Sequence, residues 1–450
     1  MNGDGENQTG AMYRAVWRWH FYAGLFTAPV LIALAVTGAL YLFSKEIEGW
    51  WYRDLIAVPL STTSVAASAQ EAAVLAAYPG AKVKVYSPAS PGSAAEWSIT
   101  TAAGKPLAVF VDPSDGAVKG AIAAETRLMT IVRDIHAGLY LGDFGRYVVE
   151  LSACWALVLL GTGLYLWWPR GGRGLSAFVP RLGAGSRTFW RDLHAVPSLW
   201  NLPLIAFLIL SGLPWSIFWG NELASLGTLS SFAAPTPNFM AQPRVDDLKP
   251  KAGHDHGGDQ PWAIRHAPEP AAHHGAHTIG IDHMMAEAKS RGLADGGLRV
   301  FYPGEPGATF TLSYVPATAQ GQRTVNIDPT NGAVLRDVGW SDYSALGMAV
   351  EFGVMTHMGQ QFGVLNQFLM LGVCILFICT IGAGYWMWWQ RRPLGGLGAP
   401  QPLPGSRAGW GLLLIILAAM AIFPLVALSI MAIAAIELGL GVLGRRQGSP

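Results

Sequence analysis

Charge is scarce in this chain. Only 13% of its 450 residues are Asp, Glu, Lys or Arg, about half the share in an ordinary soluble protein, and several long stretches have none. Phe21–Phe43, Ala195–Gly220 and Phe362–Gln390 are uncharged, and each is long enough for the roughly 20 apolar residues that cross a bilayer as a helix. Leu151–Trp168 is a shorter span, extended by Tyr147–Val149 past the single acid Glu150. Ala408–Ile436 is a fifth, interrupted by Pro424. The composition excludes an ordinary soluble protein and predicts an integral membrane one. Cysteine is scarce too. Cys154, Cys374 and Cys379 all fall within expected spans, so the polar segments have no disulfide framework. No C-x-x-C-H occurs, which excludes a c-type haem attachment. No Gly-rich nucleotide loop, Ser-His-Asp arrangement or zinc-hydrolase motif stands in a supporting context, and nothing points to nucleic acid.

The charges that are present orient the chain. Arg14 and Arg18 precede the first span; Arg170, Arg173, Arg181, Arg187 and Arg191 follow the second, with Asp192 as the only acid; Arg391, Arg392 and Arg407 follow the fourth. The positive-inside rule puts the N-terminus and both short loops in the cytoplasm and the long polar segments outside. The first run is too long, and too poor in a small-residue cleavage site, for a removed signal peptide. Five spans put the C-terminus outside, against Arg445 and Arg446; either the rule fails at this last helix or Pro424 splits the tail into a hairpin.

Histidine is the informative minority. Of 11, four stand at the thresholds of apolar segments, His20, His136, His194 and His357. The pattern recurs: His136-Ala-Gly138-Leu-Tyr-Leu-Gly142 and His357-Met-Gly359-Gln-Gln-Phe-Gly363 share H-x-G-x-x-x-G. Gly161-Thr-Gly163-Leu-Tyr-Leu-Trp-Trp-Pro-Arg170 matches Gly382-Ala-Gly384-Tyr-Trp-Met-Trp-Trp-Gln-Arg391 at the same offset that separates His136 from His357. A histidine-bearing helix is therefore duplicated.

The polar segments repeat as well. Gln70–Pro79 reads as a helix, and Lys82–Tyr86, Trp97–Thr101 and Leu107–Val111 as strands, closed by Val111-Asp-Pro-Ser-Asp-Gly-Ala-Val118. The second segment has a helical Ile281–Arg291, strands Leu298–Tyr302, Thr309–Tyr314 and Thr324–Ile327, and Ile327-Asp-Pro-Thr-Asn-Gly-Ala-Val334. Asp-Pro followed by Asp-Gly or Asn-Gly is a hairpin signal, because Pro fixes φ and Gly or Asn tolerates positive φ. Two small α+β domains are expected. The two turns lie further apart in the chain than His20 and His194 do, so the second copy carries an insert, roughly Ser225–Ala276. This proline-rich insert carries His254, His256, His273 and His274, with His277 just beyond and Asp255 and Asp259 as carboxylate partners. It reads as a polar loop or an external transition-metal site.

The order of helix, α+β domain and helix, twice over, with Trp19-His20 opening the first span and the two DP-turns closing the domains, resembles the PepSY-associated transmembrane family across residues 12–435. The expected fold class is a mainly α-helical membrane protein, a duplicated unit of helix, PepSY-like α+β external domain and helix, plus a C-terminal helix. The expected division is 1–44 for the first helix, 45–125 for the first domain, 126–169 for the outer ligand region and second helix, and 170–190 for a loop. Residues 191–220 form the third helix, 221–345 the second domain with its insert, 346–390 the second outer ligand region and fourth helix, 391–407 a loop, and 408–450 the last helix. The resemblance implies a bacterial inner-membrane reductase of ferric siderophores with two haems.

The residues lead to the same chemistry by a second route. His20 and His194 start outward-running helices and His136 and His357 inward-running ones, which gives one inner and one outer pair. Two imidazoles on one iron close it to substrate and favour electron transfer, so two haem b groups are expected. Arg133-Asp134-Ile-His136 and Arg191-Asp192-Leu-His194 share R-D-x-H, with arginines for haem propionates and acids to orient an imidazole. Gly24, Gly138, Gly142, Gly359 and Gly363 are candidates for close approach of a porphyrin. Every cytoplasmic segment is short, so electrons must come from a separate donor, a quinol or a soluble reductase. Distance is the difficulty: on a continuous helix, His136 stands about 16 Å above the apolar core, far from an inner pair. Either the chain bends at Gly142-Asp-Phe-Gly145 or a relay such as Trp155, Trp215 or the Trp167-Trp168 and Trp388-Trp389 ends is needed. The alternative function is a non-enzymatic metal-binding or regulatory membrane protein.

Overall fold

The computed structural model describes residues 3–169, 174–227, 261–265, 269–273, 278–293, 296–305, 307–394, 398, 410–433 and 435. In chain order these form helices α1 (Gly3–Tyr41), α2 (Ser44–Trp51), α3 (Arg53–Ile56) and α4 (Ala67–Ala77), strands β1 (Lys82–Ser87), β2 (Ala95–Thr100), β3 (Pro106–Val111) and β4 (Val118–Ala123), then α5 (Leu128–Gly138), α6 (Gly142–Trp167), α7 (Ser186–Gly212), α8 (Phe218–Ser225), α9 (Trp262–Arg265) and α10 (Ile281–Ser290). Strands β5 (Leu298–Phe301), β6 (Phe310–Tyr314), β7 (Arg323–Ile327) and β8 (Val334–Gly339) precede α11 (Ala345–His357), α12 (Gly363–Arg391) and α13 (Trp410–Ile422), and Pro424–Ile433 adds α14. The chain divides into two compact units, one of residues 1–39, 134–217 and 371–450 and one of 40–133 and 218–370.

The first unit is helical. Among the described residues four helices are long and apolar enough to cross a bilayer, Gly10–Tyr41, Gly142–Trp167, Ser186–Trp215 and Gly363–Arg391, at four of the sites where the sequence runs out of charge. Polar bonds tie them together: Tyr385 Oη on α12 donates to the Leu25 carbonyl on α1 at 2.8 Å, and Asn201 Nδ2 on α7 donates to the Val373 carbonyl on α12 at 3.0 Å. Between apolar helices in lipid such bonds contribute about 0.6–2 kcal/mol each. The expected fifth span is two helical pieces. Pro424 has no N–H, so the ladder breaks there, yet Phe423 N–H bonds the Ala419 carbonyl and Ala427 N–H bonds the Phe423 carbonyl. One non-helical residue is too short for a reversal, so the proline bends the helix rather than making a hairpin.

The second unit holds the sheet. The two expected α+β copies share one eight-stranded antiparallel sheet in the order β4-β3-β2-β1-β5-β6-β7-β8. They join where Tyr86 pairs with Val300 and Val85 with Phe301, with Tyr302 N–H reaching the Lys84 carbonyl at 2.9 Å. The DP-turns have the chemistry their sequence predicts: Gly116 and Gly332 sit at φ +80° and +75°, and Asp112 and Asp328 accept from the N–H and hydroxyl of Ser114 and Thr330. One face buries Trp97, Ile99, Val109, Leu298, Val300, Leu312 and Val325 against Val74 of α4 and Met284 and Ala288 of α10, as period-two alternation requires. On the other face the copies diverge. Ala108 and Phe110 pack against Leu55, Ile56 and Val58 in the first, whereas Asn326 bonds Thr309, Thr311 and Arg336 in the second. Behind α2, Arg127 makes a fork to both Glu48 oxygens at 2.9 and 2.7 Å and reaches Glu96 at 2.8 Å. Burial disfavours its charge, but the two carboxylates outweigh this and hold the guanidinium above its ordinary pKa.

Candidate functional site

Three of the four threshold histidines lie in the helical unit, and each is held by another helix in the same way. His20 on α1 meets Thr162 on α6, with Nδ1 at 2.9 Å from Oγ1. The Thr162 hydroxyl also lies 2.8 Å from the Val158 carbonyl, which can only accept. With its one proton on Val158, the hydroxyl oxygen accepts from His20 Nδ1–H. His136, in the last turn of α5, repeats this on α1: its Nδ1 is 3.0 Å from Thr37 Oγ1, and Thr37 donates to the Ala33 carbonyl at 2.6 Å. His194 on α7 donates from Nδ1 directly to the Thr380 carbonyl of α12 at 2.9 Å. The carbonyl fixes His194 in the Nδ1–H tautomer, which leaves its Nε2 with a lone pair; the back-bonded hydroxyls favour the same tautomer at His20 and His136, and His136 also bonds the Leu34 carbonyl.

Each ring also lies on a glycine. A Cβ at Gly163 would come within 3.3 Å of His20 Cε1, one at Gly38 within 3.2 Å of His136 Cε1, and one at Gly384 within 3.2 Å of His194 Nδ1. Gly163 and Gly384 are equivalents in the repeat. Where Thr162 precedes the first, Ala383 precedes the second, and a backbone carbonyl takes over as acceptor. The His20 and His194 ring centres are 6.3 Å apart, at an interplanar angle of 81°. Two imidazoles on opposite sides of one metal atom, with bonds of about 2 Å each, have centres roughly 6 Å apart. The ring-centre separation of this pair thus matches that of two imidazoles sharing one metal atom.

His136 comes close to α1 because the chain bends. The sequence places it at the start of the second span; it instead closes α5, and Leu139 and Tyr140 follow at φ +52° and +59° before α6 begins at Gly142. The bend thus starts before Gly142, at Leu139. The wide offset expected of a continuous helix does not arise, since His136 bonds Thr37 within the Gly10–Tyr41 span. His357 similarly closes α11, in the other unit, and is followed by Gly359 and Gly363 at φ +73° and +63°. The H-x-G-x-x-x-G glycines serve these turns: a side chain on Gly138 would meet Arg146 at 3.0 Å and one on Gly359 would meet Gln367 Cα at 3.0 Å. Gly24 faces Leu159 at an ordinary 3.9 Å. The glycines that approach these three histidines are Gly38, Gly163 and Gly384, and the sequence signalled the last two through the matched Gly161-Thr-Gly163 and Gly382-Ala-Gly384.

The second R-D-x-H segment differs from expectation in one respect. Asp192 is buried and accepts from Arg181 at 2.8 and 3.0 Å and from Arg191 at 2.9 Å, so the acid holds arginines, and the Thr380 carbonyl holds the imidazole. Arg191 and Arg133 each lie three residues before a histidine on the same helix, α7 and α5, and so on the same face. Trp155 stacks on Trp19, centroids 6.3 Å apart at 14°, and donates to Ser429 Oγ of α14 at 3.2 Å. Within the insert, His254, Asp255, His256, Asp259, His274 and His277 lie outside the described residues. His273 pairs through Nδ1 and its N–H with buried Asp328 of the second DP-turn. Among the described residues no three His, Cys, Asp or Glu side chains converge as a metal site.

Over residues 17–391 the chain matches the family described as PepSY-associated TM region. No curated protein matches it significantly.

Proposed function

Because the chain belongs to the PepSY-associated transmembrane family, we propose that it is a di-haem b-type reductase that carries electrons across the bacterial inner membrane to a ferric substrate, a ferric siderophore being the substrate class. The observation that carries this reading is the His20–His194 pair: two imidazoles with Nδ1 committed to other helices, Nε2 uncommitted, and ring centres at the separation of an axial pair. A haem held by His20 and His194 would supply one-electron chemistry at iron, and its two imidazole ligands would keep substrate off that iron. The protein's residues do the rest. Thr162 and the Thr380 carbonyl hold the ligands, Gly163 and Gly384 leave room beside them, and the apolar helices exclude water.

His136 and His357 form the outer pair in this reading. It is supported by the repeat and by the Thr37–Gly38 environment of His136, which copies that of His20. Arg133 and Arg191 are the proposed cations for the haem propionates. In this reading, supported by the positive-inside rule, His20 and His194 lie on the cytoplasmic side, where a quinol or a soluble reductase donates, and the sheet lies in the periplasm. Reduction to Fe(II) weakens binding by hard oxygen ligands, so iron release follows from electron transfer. The test is a visible spectrum of protein purified from haem-replete cells. A dithionite-reduced b-type spectrum with about two haems per chain, reoxidised by a ferric hydroxamate or catecholate complex, is expected. Colourless protein overturns the proposal.

A further inference from the structure

Hydroxyl groups on apolar helices that also carry the histidines' partners call for a reason. A threonine in an apolar helix usually just bonds back to the carbonyl one turn earlier, and Thr37 and Thr162 do so. In both, however, that back-bond has a second effect: while it holds the hydroxyl proton, the oxygen facing the imidazole is left to accept. A free hydroxyl serves either tautomer of a histidine alike; a back-bonded one favours Nδ1–H. The neighbouring glycines, Gly38 and Gly163, let the ring come within bonding distance. Ser211-Gly212 stands as far along the chain from Thr37-Gly38 as His194 does from His20. Ser211 also turns its proton onto its own helix, at the Phe207 carbonyl, 2.7 Å away.

We infer that Thr162 and Thr37 are positioning residues, each a fixed acceptor that locks one imidazole in the Nδ1–H tautomer, presents Nε2 to the metal and raises the electron donation of that ligand. The inference rests on the haem-ligand reading above for its effect on iron, though not for the tautomer. An acceptor on the far nitrogen makes the imidazole more basic, which favours Fe(III). Its removal therefore raises the reduction potential. The inner pair is also unequal: His20 has a hydroxyl acceptor and His194 a carbonyl, so only the His20 side can be changed by a side-chain substitution.

The experiment compares Thr162→Val with Thr162→Ser, and Thr37→Val with Thr37→Ser, in the full-length protein in detergent. Two readouts are used. Potentiometric titration of the haem spectrum should show one potential raised in Thr162→Val, the other raised in Thr37→Val, and both near wild type in the serine variants. Nitrogen NMR of labelled histidines in haem-free protein should show Nδ1–H for His20 in wild type and Thr162→Ser, and a mixture of tautomers in Thr162→Val. Serine variants that behave like the valine variants, or valine variants with unchanged potentials and tautomers, overturn the inference. If wild type binds no haem, the ligand reading fails, and the tautomers alone decide whether the threonines act as stated.

Discussion

Gly163→Ala and Gly384→Ala put a methyl group against a histidine ring that is bonded to another helix. The added Cβ would meet His20 at 3.3 Å and His194 at 3.2 Å, where carbon contacts are comfortable at about 3.5–4.0 Å. Each ring must then move by roughly 0.2–0.8 Å. Such a shift stretches an Nδ1 bond of 2.9 Å and displaces Nε2. Overpacking of this kind costs about 1–3 kcal/mol, which corresponds to a weakening of haem binding of about 5- to 150-fold. The assay is the rate of haem transfer to an excess of a haem-scavenging apoprotein. Gly161→Ala and Gly382→Ala are the controls, since they lie two residues away on the same helices and a Cβ there meets nothing within 4 Å. Fast loss of one haem in the first two variants and wild-type retention in the controls is expected. Equal behaviour of all four would show that the glycines near the rings do not set the ligand position.

Leu139→Val should destabilise the outer ligand region, because a β-branched residue tolerates φ +52° poorly, whereas Leu139→Gly should preserve it; haem content of the two variants separates them. Arg127→Met should lower the unfolding free energy by about 1–3 kcal/mol, since it strands the partly buried Glu48 and Glu96, measured by denaturation in detergent. Burial raises the Asp328 carboxyl, but the bonds from Thr330 and His273 outweigh it and hold the group well below the usual carboxylate range. A depressed folded-state pKa contributes stability above the unfolded value, near 4, and loses it as pH falls further. Asp328→Asn should therefore lose stability at neutral pH and show a flatter dependence below about pH 4, read from melting temperature against pH.

Much of the fold was legible because its local rules are strong. Long uncharged runs have one solution in a bilayer, and both DP-turns carry glycine where positive φ is needed. Strand identity was legible from alternation, but the β1–β5 seam was not. Only Val85 and Tyr86 of β1 pair there, with Phe301 and Val300, and edge strands that meet from opposite halves of the chain leave no period in either. The bend after His136 was also hidden, because Leu139 and Tyr140 adopt a left-handed conformation that their own propensity opposes. The histidines were visible as polar residues beside apolar runs. Their holders were not, since Thr37 and Thr162 look like ordinary back-bonded threonines and Thr380 contributes only backbone.

The central claim is that His20 and His194 ligate one haem, and the most direct measurement is haem stoichiometry and the reduced spectrum of His20→Ala, His194→Ala and the double variant. Each single variant is expected to lose or convert the same one haem, the double variant to lose no more than either, and the second haem to persist with its spectrum unchanged. Single variants that perturb different haems, or a double variant that loses both, would contradict it.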